Sequence, residues 1–269
     1  MNNISVSPAW YSEKGLYDDI ICSTRIRLAR NLADFPFPIK LKEEDRERVQ
    51  ALIFDAFTRL EKASDYQSLS VSDLELLGRL ILAERGVLTQ EMVEKNNTGV
   101  VIRSDGKISC TINSFDHMHL ASFSTGLNLQ ENYDLISNID DNLQNSLQFA
   151  GMPDFGYLSY RIRDVGTGMK ISVMFHLPSL TQLGLEKNIF RSLVSNGFDV
   201  YACFSPQAKS TQKALGAYYR ITTNSCFPQG EIDQIAQVFS VASQIMAAAK
   251  QARKDLVSQS PTMLKDKVY

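Results

Sequence analysis

TGVVIRSDGKISCTIN, residues 98–113, is the stretch that decides the fold. Two β-rich runs flank Asp105-Gly106, a dipeptide suited to the tight turn between antiparallel strands. A hairpin here predicts an antiparallel ladder. Further out, KISVMFHLP (170–178) reads as a buried strand stopped by Pro178, and FDVYACF (198–204) and GAYYRITT (216–223) read as strands. Helical spacing appears in KEEDRERVQALIFDAFTRLEKA (42–63), with acids first and then Val49, Leu52, Ile53, Phe57 and Leu60 on one face. SDLELLGRLILAERGVL (72–88) opens with Ser72 and has Glu75 three residues on, which predicts a capping box. Helices are also expected over 130–150, over 179–197 as one element closed by Gly197, and over 231–257, where Lys250, Arg253 and Lys254 suit the C-terminal dipole. Helices and hairpin-linked strands mix without βαβ alternation, so the fold class is α+β with a largely antiparallel sheet. No Pro/Gly/Ser-rich linker divides the chain, which predicts a single domain over 1–269 with its core at about 19–257.

The 269 residues are 44% hydrophobic and carry a formal net charge of −2. Such a chain can bury a sizeable core, and it has no global field to draw it to nucleic acid or membrane. MNNISVSPAWYSEKG (1–15) has no apolar signal region, and no apolar run approaches the roughly 18 residues of a membrane span. Cys22, Cys110, Cys203 and Cys226 are scattered and form no CxxC, so reduced thiols in a cytoplasmic protein are expected.

CSTRIRLARN (22–31) is the most informative segment. On an extended strand Arg25 and Arg27 project to one face, and an anion between the two guanidiniums relieves their repulsion. Two solvated surface arginines are the plainer alternative. Arg30 falls on the opposite face and reads as structural. INSFDHMHLAS (112–122) holds His117 and His119, and His176 lies in another strand. No fourth ligand is spaced to complete a zinc set, so satisfied structural histidines are expected and no metal site. DVGTGMK (164–170) is a Gly-rich turn opening a strand. It lacks the GxxxxGK[ST] of a Walker A loop, and spacing alone makes it a hairpin turn. FSPQAKSTQKALG (204–216) is a polar loop with Lys209, Lys213 and no acid; a solvated loop and a mobile lid both fit.

Taken together, these segments resemble the ATP:guanido phosphotransferase (phosphagen, or guanidino, kinase) family, and within it the protein-arginine kinases. DIICSTRIRLARNL (19–32) is similar to the family's D-I-V-x-S-S-R-x-R-L-A-R-N-L. INSFDH (112–117) stands in place of I-N-E-E-D-H. GYLSYRIRDVGTGMKISVMFHLP (156–178) is similar to G-Y-L-T-x-C-P-T-N-x-G-T-G-M-R-A-S-V-x-x-H-L-P, and ALGAYYRITT (214–223) parallels the segment after the family's mobile loop. The order and spacing agree from about Trp10 onward. The resemblance implies a curved, mostly antiparallel sheet flanked by helices, with nucleotide in its concavity. The protein-arginine kinase pattern continues past KDKVY (265–269) into a helical region that is expected to be absent here.

The resemblance also implies chemistry. Phosphoryl transfer to a guanidinium needs positive charge around the phosphates, ATP with Mg²⁺, and carboxylates that orient and deprotonate the acceptor. Two phosphate arginines correspond to Arg25 and Arg27, and a third becomes Lys170, which keeps charge but loses the fork. A fourth falls on His119 and a fifth on Tyr201. Gly166, Thr167 and Gly168 keep the turn that frames the nucleotide. The carboxylate of N-E-E-D-H falls on Ser114, beside Phe115, and the family's Cys falls on Arg161. Pro-Thr-Asn becomes Ile162, Arg163 and Asp164, and no acid lies in 205–213 to replace the loop glutamate. The expectation is a catalytically impaired pseudoenzyme with a regulatory or scaffold role and residual nucleotide binding. Two alternatives stay open. One is an active phosphotransferase that moves the γ-phosphate of ATP to arginine or another guanidino group, with Asp116 or Asp164 as a relocated base. The other is a module that keeps only the fold. Nucleotide, a protein partner or an arginine-containing protein are the partners implied, and a homodimer is left open.

Overall fold

The structure is a computed structural model that describes residues 9–94, 98–204, 214–226 and 228–259. In chain order it contains β1 (Ile21–Arg30), α1 (Glu43–Thr58), β2 (Tyr66–Ser70), α2 (Leu76–Glu84), α3 (Gln90–Glu94), β3 (Gly99–Arg103), β4 (Ile108–Ile112) and β5 (Met118–Thr125). Then come α4 (Leu129–Gln144), the two-residue strands β6 (Gly151–Met152) and β7 (Gly156–Tyr157), β8 (Met169–His176), α5 (Pro178–Leu183), α6 (Glu186–Ser195), β9 (Phe198–Ala202), β10 (Tyr218–Thr223) and α7 (Glu231–Gln259). The main sheet has eight strands in the order β2-β3-β4-β5-β1-β8-β10-β9, with every pairing antiparallel. Strand β1 lies at its centre, between β5 and β8.

Alternation decides which side chains meet the core. In β8, Met169, Ile171, Val173 and Phe175 are buried while Lys170, Ser172, Met174 and His176 are half-buried. In β1, Ile26 and Leu28 join the same core, which α1, α4, α5, α6 and α7 close. On the other face a smaller cluster, Val71, Val87, Leu88, Met92 and Val100, packs α2 and α3 against the β3 side of the sheet. The rest of that second face carries charged and polar side chains, among them Arg25, Arg27 and Lys170, interleaved with apolar ones such as Phe123 and Met174. Among the described residues no helix is long and apolar enough to cross a membrane.

Three sequence expectations are corrected. No capping box opens α2. Val71 is buried and its N–H is held by Thr98 O at 2.9 Å, so a 3-10 turn at Val71–Asp73 must finish before the helix begins at Leu76. The helix expected over 179–197 is two, because Gly184 takes a left-handed conformation (φ 69°) that ends α5. Strands β2 and β5 occupy segments that sequence left unassigned.

Candidate functional site

The central strand presents Arg25 and Arg27 on the face away from the large helical core. Cross-strand register sets their neighbours. Arg25 lies opposite Phe123 on β5 and Ser172 on β8; Arg27 lies opposite Ala121 and Lys170. One strand further, Arg220 pairs with Met174 and Tyr201, and so faces the same side. Arg25, Arg27, Lys170 and Arg220 therefore share one surface. Arg220 is not among the residues singled out from sequence. The signal was there: Tyr219, Ile221 and Thr223 alternate into the interior, which turns Arg220 outward.

The cations divide into two unlike pairs. Arg27 Nη2 donates to Asp164 Oδ2 at 2.8 Å, and Lys170 Nζ forms an ion pair with Asp164 Oδ1. Asp164 is buried at the end of a 3-10 turn, Ile162–Asp164. Arg25 and Arg220, by contrast, have no carboxylate partner among the described residues. Arg25 stacks over Phe123 at 5.2 Å and its buried Nε has no acceptor. Burial first, then repulsion from Arg27 and Arg220, lowers its pKa to about 9. Both border a cavity of about 510 Å³ whose wall includes Trp10 stacked on Phe123 at 5.7 Å.

Asp116 is a structural hub. It accepts hydrogen bonds from Asn31 Nδ2, Ser159 Oγ and Tyr160 N, and pairs with His119 Nε2 at 3.0 Å. Burial alone would raise its pKa, but the bonds from His119, Asn31 and Tyr160 prevail and hold it well below the usual carboxylate range. A carboxylate so fully engaged is a poor base. His119 sits lower than an ordinary histidine through burial and then the charge of Arg27, so it adds no positive charge to the face at neutral pH. It does not replace an arginine there.

His117 is held neutral. Its Nδ1 accepts from Leu32 N–H at 3.0 Å, which leaves Nε2 to donate to Pro36 O at 3.0 Å. Burial pushes its pKa from 6.5 down to about 4. As pH falls, the unfolded chain takes this proton first, so stability present above pH 6.5 is lost on the way to pH 4. The expected loss is about 3 kcal/mol, read as a falling melting temperature across that range. A flat profile contradicts the assignment.

Gly166, Thr167 and Gly168 are tied into the fold. Gly166 pairs with Tyr157 in both directions, Thr167 O accepts from Arg30 Nη1 at 2.9 Å, and Gly168 O accepts from Ala29 N at 2.9 Å. A Cβ on Gly168 (φ +66°) would lie 2.6 Å from Ala29 O, so only glycine lets the turn approach β1. Arg30 points into the core, bonded to Asp140 and stacked over Tyr157 at 3.7 Å. Ser114 is partly buried beside Phe115. Arg161 lays its guanidinium over the Phe115 ring at 3.9 Å, and Phe115 stacks on Tyr160 at 6.0 Å. The four cysteines are unpaired, and burial raises every one, Cys22 to about 11 and Cys226 to about 12. None is a thiolate near neutral pH. Asp199, hydrogen-bonded by Tyr201 OH at 3.3 Å, is an acid on this face that sequence passed over. Lys209, Lys213 and the acid-free 205–213 segment lie outside the described residues.

Comparison with known proteins adds a family to this geometry. Solved structures with the same fold include the duplicated taurocyamine kinase of Schistosoma mansoni with bound transition-state-analogue components (TM-score 0.77, 19% identity, 93% of this chain and 35% of that one). A lombricine kinase matches with TM-score 0.75 and 17% identity, over 92% of this chain and 70% of that one. In sequence the chain is similar to proteins named protein-arginine kinase. The one from Caldanaerobacter subterraneus subsp. tengcongensis is 32% identical over 256 residues, covering 94% of this chain and 75% of the relative. That of Geobacillus stearothermophilus is 31% identical over 270 residues, 99% and 73% respectively. The family model for the ATP:guanido phosphotransferase C-terminal catalytic domain matches residues 48–252. The chain belongs to the ATP:guanido phosphotransferase family.

Proposed function

We propose that this chain is a catalytically impaired guanidino-kinase relative that serves as a regulatory or scaffold protein and retains weak nucleotide binding. The observation that carries the reading is the stack of Arg161 over Phe115. It puts a fixed guanidinium and a benzene ring where the family resemblance calls for a thiolate and carboxylates. An acceptor guanidinium is cationic and stays so up to a pKa above about 12. It therefore meets repulsion here, and the two acids aligned with the family motifs, Asp116 and Asp164, offer no free base. Asp116 is saturated by donors and Asp164 is ion-paired, so neither is free to take a proton.

What remains is charge. Arg25 and Arg220, with Arg27 and Lys170 beside them, support electrostatic binding of phosphate oxygens. The Gly166-Thr167-Gly168 turn is tied to β1 and Arg30 and keeps the family's frame. Mg²⁺ would arrive with ATP, since the buried carboxylate nearest the arginines, Asp164, is held by Arg27 and Lys170. Four cysteines without a disulfide fit a cytoplasmic protein. The second reading is phosphoryl transfer from ATP to an arginine of a protein substrate; the relatives' name, protein-arginine kinase, favours it.

Calorimetry tests the binding half of the proposal. ATP is expected to bind weakly, to weaken further as salt rises, and to bind less well after Arg25→Ala. Tight, salt-insensitive binding contradicts a charge-only site. The absence of binding by the wild-type chain points instead to a module that keeps only the fold.

A further inference from the structure

Two cations on the site face, Arg27 and Lys170, already share an anion supplied by the chain. Asp164 bridges them with one oxygen each, and it is buried. Among the described residues two others, Arg25 and Arg220, have no carboxylate partner. They border a cavity of about 510 Å³ that also has an aromatic wall, Trp10 and Phe123. Pockets of about 300–1,000 Å³ with apolar walls and a few placed charges hold small organic ligands. The electrostatics of the face are thus unequal. A phosphate at Arg25 and Arg220 relieves a repulsion, whereas one near Arg27 and Lys170 must displace or oppose the Asp164 carboxylate.

We infer that Asp164 occupies a phosphate seat between Arg27 and Lys170, so that the face takes a ligand with a flat ring and one phosphate, a nucleoside monophosphate, at Arg25 and Arg220. This rests on the nucleotide-binding reading above and sharpens it. The second and third phosphates of a triphosphate gain less, because the Asp164 carboxylate cancels one of the two charges that would receive them and holds both cations in ion pairs. Asp164 acts here as a specificity-determining residue: it touches the phosphate cage and sets how many phosphates that cage rewards. Sequence alone shows an acid beside a Gly-rich turn. Only the fold brings it to Arg27, across 137 residues of chain.

The test is titration of the full chain at low salt with AMP and, separately, with ATP. For the wild-type protein ATP is expected to bind no more than about threefold tighter than AMP. Asp164→Asn frees Arg27 and Lys170 without changing the side-chain volume. It is expected to tighten ATP at least about tenfold, the scale of one or two charge-assisted hydrogen bonds, and to tighten ATP more than AMP. Circular dichroism and melting establish that the variant is folded. Should it fail to fold, the wild-type ratio decides alone: ATP more than about tenfold tighter than AMP overturns the inference. A folded Asp164→Asn protein with unchanged ATP affinity overturns it too. If ATP still binds the wild type through Arg25 in either case, the nucleotide reading survives. Failure of both nucleotides to bind either protein overturns both.

Discussion

In a phosphoarginine assay with ATP and an arginine-rich protein as acceptor, the wild-type chain is expected to be inactive, and neither Arg161→Cys nor Ser114→Glu is expected to restore turnover. Loss of one general base commonly costs about 10²–10⁴-fold. By the proposed correspondence the family's carboxylate position falls on Ser114 and the thiolate position on Arg161, while the buried acids Asp116 and Asp164 are already committed. Arg161→Cys removes the cation over Phe115 but supplies no carboxylate. Ser114→Glu supplies a carboxylate beside Arg161, which can pair with it before any substrate does. The single repairs therefore fail for different reasons. Robust wild-type activity, abolished by Arg25→Ala, would sink the pseudoenzyme proposal and point to Asp116 or Asp164 as a relocated base.

Arg30→Ala is expected to destabilise the fold by about 3–5 kcal/mol, measured by chemical denaturation. Arg30 is 1% exposed. It bonds both oxygens of Asp140, with Nη2 to Oδ2 at 2.8 Å, and donates to the carbonyls of Ala29 and Thr167 at 2.9 Å. Removing it leaves a buried carboxylate without a counter-charge and two carbonyls without a donor. Burial already raises the pKa of Asp140 against the pull of Arg30. Without the arginine the acid takes up a proton, which limits the loss toward the lower figure. Replacing both partners, Arg30→Met with Asp140→Leu, is expected to recover much of the deficit, because an apolar pair needs no compensation. A loss below about 1 kcal/mol for Arg30→Ala would place the pair with ordinary surface ion pairs and refute its structural role.

Much of the sheet was legible because period-2 alternation is a local signal. The run MKISVMFH (169–176) sorts itself into buried and half-buried residues with no help from neighbours. The same rule puts Arg25 and Arg27 on one face, where the structure has them. Strand β5 was not legible. It is buried through six successive residues, Met118–Phe123, so alternation is lost, and its His119, with His117 just before the strand, drew attention to metal ligation. The start of α2 was misjudged because a capping pattern is local, while the anchoring of Val71 to Thr98 is not. Of the site, residue identities were legible and electrical state was not. Nothing near Asp164 in sequence says that its partners are Arg27 and Lys170, or that Arg25 has no carboxylate partner among the described residues. Those facts depend on register between β1 and β8.

The place of β1 also sets the order in which the molecule can assemble. It is the first strand made, yet it is the central one, and its two neighbours are β5 and β8. During synthesis, which runs from the N-terminus, both of its edges stay unpaired until residues 118–125 and then 169–176 have emerged. Contacts this distant in sequence make for slow folding, since loop closure precedes the reward. The arginines on β1 thus spend the longest time without the neighbours that orient them, and a ribosome-bound chain that ends before β8 leaves one edge of β1 unpaired. The charged face is among the last features of the molecule to form, although its first residues are among the earliest translated.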